Sequence, residues 1–142
     1  MEMNVWNWLK GAAAALGGAA AYLWGAWDAM IQVLVAVVVI DYVTGIVGAA
    51  MKGELSSAVG FKGLIKKVAI FLLVALGTLV DKAVPAANGA VRAAVLVFYI
   101  ANEGLSILEN IGGLGVPLPG VLKGWLEKLK EGPEQDGADL KE

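Results

Sequence analysis

Cysteine and histidine are both missing from this 142-residue sequence. Without them the chain can build no disulfide and no thiolate site, and it lacks the commonest general base and imidazole metal ligand. No metal or cofactor is expected, and the inventory argues against an enzyme. Charge is scarce too: Asp, Glu, Lys and Arg make up 17% of the chain, where soluble domains carry about a quarter. A net charge of −2 and the lack of a basic aromatic surface argue against nucleic acid as a partner. What fills the chain instead is 58% hydrophobic residues, with a mean hydropathy of +0.71. A water-soluble core of this size could not hide so much Ala, Val, Leu and Gly, so composition points to an all-α integral membrane protein.

Four apolar segments follow one another within a single membrane domain, residues 1–130. The first, residues 11–27, is uncharged, rich in Ala and Gly, and flanked by Trp6, Trp8, Trp24 and Trp27; tryptophans favour the headgroup level. A signal peptide is the competing reading, against which stand the single Lys and Glu ahead of the segment and the further apolar segments behind it. The second, residues 29–51, has the length needed to cross about 30 Å of hydrocarbon. Its only carboxylate, ammonium or guanidinium is Asp41, close to its midpoint. The third, residues 64–84, carries Lys66, Lys67 and Lys82 near its ends, and spans if those lysines snorkel to the headgroups. The fourth, residues 89–111, contains Arg92, Glu103 and Glu109. Ser56 or Ser57, in the polar connection before the third segment, suits a helix cap.

Beyond these segments, Gly112, Gly113, Pro117 and Pro119 mark a loop. Leu122, Trp125, Leu126 and Leu129 then recur at amphipathic spacing, which predicts a short helix over residues 120–130 lying on the membrane surface. The acidic residues 131–142 are expected to be disordered. With four crossings, Lys10, Lys52, Lys62, Lys66, Lys67, Lys123, Lys128, Lys130 and Lys141 share one side, and only Lys82 and Arg92 fall on the other. Basic residues favour the cytoplasm, so both termini are expected inside. If the first segment lies in the interface, three crossings remain and the N-terminus falls outside. Four is the preferred count.

Polar residues inside apolar helices mark contacts or function. At 100° per residue, Arg92, Tyr99, Asn102, Glu103, Ser106, Glu109 and Asn110 share one arc of the fourth segment. Two readings of that arc stand: a stripe satisfied inside a monomeric bundle, or a stripe lining an aqueous lumen built from several copies. In the second segment Asp41, Thr44 and Gly48 share a face, with Gly45 beside them, and Asp41 is expected to face protein. In the first segment Ala13, Gly17, Ala21 and Gly25 form a small-residue stripe that allows close helix approach in lipid.

The stretches "DYVTGIVGAAMKGELSSAVGFKGLIKKVAIFLLV" and "FYIANEGLSILENIGGLGVPLP", with the amphipathic helix after them, resemble the phage-lysis and toxin-secretion holin family. The resemblance covers most of residues 28–130. It points to Asp41, Thr44, Gly45, Ser56, Ser57, Gly60, Lys62, Gly63, Lys67, Asn102, Glu103, Ser106, Glu109 and Asn110, without assigning each a role. What it implies is a homo-oligomer in the lipid of the bacterial cytoplasmic membrane. Its lesions would let an endolysin or a toxin pass without binding it stably. A small ion channel or transporter subunit, and a membrane adaptor that docks a partner without permeabilising, are the readings to separate from it.

Overall fold

The protein, described over residues 4–132 by a computed structural model, consists of five α-helices. They are α1 (Val5–Trp24), α2 (Ala29–Met51), α3 (Ser57–Ala83), α4 (Ala90–Gly113) and α5 (Gly120–Glu131), with a short 3₁₀ turn, Pro85–Ala87, before α4. The expected disordered stretch 131–142 lies outside the described residues except for Glu131 and Gly132.

Local chemistry sets each boundary. Asp28 caps α2 by accepting from the Ile31 N–H at 3.1 Å, and Ser56 caps α3 by accepting from the Val59 N–H at 3.2 Å. Such caps satisfy N–H groups that have no partner within the helix. The Ser56 cap starts α3 two turns before the expected position 64. α3 ends at Ala83, just before Pro85, whose ring cannot continue a helix. Asn88 and Gly89 then turn the chain through the left-handed region at φ 49° and 79°, and the Asp81 carboxylate accepts from the Val91 and Arg92 N–H groups at 3.0 and 2.8 Å. α1 starts earlier than the uncharged run, at Val5, since an exposed Lys10 does not interrupt a helix. It ends at Trp24, because Gly25 adopts φ 77°.

Three helices, α2, α3 and α4, are long and apolar enough to cross a membrane; α1 is not among them. They pack around Leu34, Val74 and Leu96, all three fully buried, together with Ile31, Val38 and Ile70. α4 is the central element, in contact with α2, α3 and α5. Gly77 lets α3 and α4 approach closely, for a Cβ there would lie 3.2 Å from the Arg92 Cα. Val39, Ile40 and Val43 on α2 and Leu64, Val68, Leu72 and Leu76 on α3 are exposed, an apolar surface suited to lipid. α1 contributes no buried residue and packs against α3.

α5 does not stand apart from the bundle. It folds back antiparallel along α4: a Cβ on Gly112 would meet Leu118, one on Gly104 would meet Leu126, and the Lys130 ammonium lies 6.0 Å from the Phe98 ring centroid. Val121, Trp125 and Leu129 remain exposed. Leu126, expected on the same apolar face as Trp125 and Leu129, is drawn against α4 because Gly104 leaves room for it.

Candidate functional site

Three charged side chains converge about midway along α2, one each from α2, α3 and α4. Asp41 on α2 and Glu103 on α4 both pair with the ammonium of Lys67 on α3. All three are shielded, with side-chain exposures of 7%, 4% and 15% respectively. Their depths agree, since Asp41 is ten residues before Met51, Lys67 ten after Ser57 and Glu103 ten before Gly113. At the rise of an α-helix that is about 15 Å of protein, which puts the cluster within the spans.

Hydrogen bonds complete it. The Asn110 amide donates to Asp41 Oδ1 at 2.9 Å, to the Asp41 carbonyl at 3.2 Å and to Thr44 Oγ1 at 2.9 Å. The Thr44 hydroxyl donates back to the Ile40 carbonyl at 2.8 Å. Next to Asp41 on α2, Tyr42 OH donates to the Gly60 carbonyl at 3.1 Å, and its ring lies where a Cβ on Gly63 would touch it at 3.4 Å. Among the described residues no buried side-chain nitrogen or oxygen lacks a partner. The cluster holds two carboxylates against one ammonium, and it cross-links all three spans.

The polar arc of α4 is therefore divided. Glu103 and Asn110 turn inward to Lys67, Asp41 and Thr44. Ser106 lines a cleft beside them, and Asn102 is half-buried. Tyr99 packs against the apolar core and meets Phe98 edge-on at 5.0 Å. Glu109 is exposed and faces a groove between α4 and α5, which Lys123, Glu127 and Lys130 also line. Gly45 lies under the Asn110 amide, while Gly48 faces open space. Of the small-residue stripe on α1, Ala13 is exposed, whereas Gly17, Ala21 and Gly25 border an apolar groove with Trp24, Ile31 and Phe71. Lys52, Lys62 and Lys66 are exposed, as are Ser56 and Ser57, the cap and first residue of α3.

Arg92 lies at the other end of the bundle. Its guanidinium donates to Asp28 Oδ2 at 2.7 Å, to the Trp24 carbonyl at 2.8 Å and to the Ala26 carbonyl at 3.1 Å. This clamps the α1–α2 turn onto α4. Arg92, and after it the Ile31 N–H, hold the Asp28 carboxyl below its usual range. Lys82 reinforces the joint by donating to the Tyr22 carbonyl and lying 3.4 Å from the Tyr22 ring centroid. Trp24 Nε1 donates to the Phe71 carbonyl at 2.7 Å. Neither Asp28 nor Lys82 stands out in the sequence, where each is one of several charges flanking an apolar run.

Residues 18–131 match the sequence model of the bacteriophage holin family. A probable holin of Bacillus phage phi105 is 34% identical over 117 residues, covering 82% of this chain and 85% of its own length. An uncharacterised protein of Listeria innocua is 42% identical, covering 87% of this chain and 89% of its own length. An uncharacterised 14.9 kDa protein from the nagH 3′ region of Clostridium perfringens is 35% identical, covering 89% and 96%. No solved structure matches the chain.

Proposed function

The chain belongs to the bacteriophage holin family, a family of membrane pore-forming proteins and not of enzymes, and on that premise we propose that it permeabilises the bacterial cytoplasmic membrane as an oligomer. Many copies assemble into lesions through which an endolysin, or a secreted toxin, reaches the cell wall or the exterior without stable binding. The lysine-rich end faces the cytoplasm. α1 provides the fourth crossing, leaving both termini inside.

The observation that carries this reading is the charged groove between α4 and α5. Glu109, Lys123, Glu127 and Lys130 line it, and α5 follows α4 from Gly112 to the level of Phe98. Charges at that depth are costly against lipid tails. The groove is tolerable where it meets water, and a lumen shared among subunits supplies water along the full height of α4. The inward half of the arc has the complementary role. Glu103 and Asn110, paired within the bundle, let the subunit sit in lipid before it assembles.

Release from vesicles tests the reading. Purified protein is expected to discharge both a small dye and a folded protein of endolysin size. Dye alone would make it a channel, and no release of either would make it an adaptor. Replacing Glu109 and Glu127 together by Leu should leave insertion intact and suppress protein release. Unchanged release from that variant would remove the groove from the lumen.

A further inference from the structure

The buried ion cluster is not sealed alike on its two sides. Toward the lysine-rich end a cleft of about 290 Å³ separates α2 from the first turns of α3. Asp41 and Lys67 form its floor, Ser106 and Asn110 its α4 wall, and Gly63 and Lys66 lie toward its mouth. Tyr42, Ile46 and Val59 also line it, with the Tyr42 ring against Gly63 and its hydroxyl on the Gly60 carbonyl. The volume, and the polar groups of the floor and the α4 wall, suit hydrogen-bonded water there. Toward the other end the next layers are Val38 and Leu34 on α2, Ile70 and Val74 on α3, and Leu96 and Ala101 on α4, all buried. Apolar packing of that kind stays dry.

We propose that the cleft is a water-filled vestibule, open only at the lysine-rich end, that makes the Asp41–Lys67–Glu103 cluster a proton-binding site for that side of the membrane alone. A hydronium in the vestibule gives its proton to Asp41, the carboxylate that lines it, no other bond changes, and Lys67 keeps one charged partner instead of two. The charged groups facing the carboxylates are few. α3 supplies Lys67 in contact and Lys66 toward the mouth, and each carboxylate faces the other across α2 and α4. Asn110 and Thr44 are neutral. The charges of α5, Lys123, Glu127 and Lys130, line the separate groove with Glu109, and α1 supplies none among the described residues. Protonation removes the excess negative charge of the cluster and leaves a balanced Lys67–carboxylate pair, so acid on the lysine-rich side steadies the link among α2, α3 and α4, and alkali there eases their separation.

Access can be tested without any release, and the chain has no native cysteine to confuse labelling. Ser106→Cys should react with a small charged thiol reagent when the lysine-rich end of the membrane is presented to it, and not from the opposite side. Thr78→Cys, buried beyond the dry layer, should react from neither. Reaction of Ser106→Cys from the opposite side, or its protection from both, would overturn the vestibule. The effect on release rests on the lesion-forming reading. There, lowering the pH by one unit on the lysine-rich side should slow dye release by up to about tenfold, the limit for one proton. Acid on the other side should do nothing, and Asp41→Asn/Glu103→Gln should abolish the response. An equal response from both sides, or an intact response in that double variant, would refute the proton site. Absence of release under every condition would count against lesion formation, leaving the labelling result to decide the vestibule.

Discussion

Two ionic joints fasten α4 to its neighbours, and their carboxylates differ in exposure. Ten residues in from the lysine-rich ends of α2, α3 and α4, Lys67 joins Asp41 and Glu103, with no side chain more than 15% exposed. At the other end Arg92, itself 14% exposed, joins Asp28, whose side chain is 42% exposed, so there the contrast lies in the carboxylate. If the deep joint loses a partner, its burial among three helices leaves the unpaired charge with most of its desolvation cost. The shallow joint can exchange its partner for bulk water and is screened by salt. Similar residue types thus have different consequences: breaking the deep joint strands a charge among three helices, and breaking the shallow one frees a turn.

The largest effect expected from this contrast is that of Lys67→Met, which leaves two carboxylates facing each other. It should destabilise the folded protein by about 3–5 kcal/mol, read as a lowered denaturation midpoint in detergent micelles. Near wild-type stability would erase the distinction between the joints. Next comes Asp41→Leu, which keeps a balanced Lys67–Glu103 pair but strands part of the Asn110 amide. A loss of about 1–3 kcal/mol is expected, with membrane insertion at or above the wild-type level and altered onset of lysis. Unaltered onset together with unaltered oligomer size would make Asp41 a tolerated passenger.

Removing all three charges sharpens the comparison further. Asp41→Leu/Lys67→Met/Glu103→Leu should recover to within about 2 kcal/mol of wild type, because well-packed apolar groups often replace a buried ion cluster without loss. If the triple variant is as unstable as Lys67→Met alone, packing and not charge governs the site. Asp28→Asn is expected to have the smallest effect, about 1 kcal/mol or less, and less again in high salt. The same joint has a defined pH response. The folded-state titration of Asp28 is depressed, so its contribution is present above the ordinary carboxylate range near pH 4 and is lost as pH falls below it. A stability-against-pH profile that differs between wild type and Asp28→Asn above that range, and not below it, checks the sign.

Sequence patterning resolves α2 and α4 to within two residues of their ends, 29–51 against Ala29–Met51 and 89–111 against Ala90–Gly113. In both, an apolar run coincides with the helix. The apolar run of α3 begins late, and that single difference hides the site. With a start at residue 64, Lys67 is an end residue that can snorkel. With the observed start at Ser57, it lies three turns in, level with Asp41 and Glu103. The signal is present in Ser56, whose capping chemistry extends the helix through Lys62, Lys66 and Lys67 even though those residues interrupt the apolar run. The arc on α4 is legible as an arc, but helical spacing cannot say which neighbour each part of it meets.

Composition and periodicity by themselves determined an all-helical chain with apolar spans, Asp41 turned away from lipid, and a polar strip along α4. Those properties follow from local propensity and from the cost of polar groups in hydrocarbon, and each acts within one helix. Only the tertiary structure decided that Lys67 would serve two carboxylates, that Glu103 and Asn110 would turn inward while Glu109 turned out, and that α5 would lie back along α4. These outcomes depend on which helices are neighbours and at what register. That register is set by close approaches such as Gly77 against Arg92 and Gly104 against Leu126, and no single helix contains the information that pairs them.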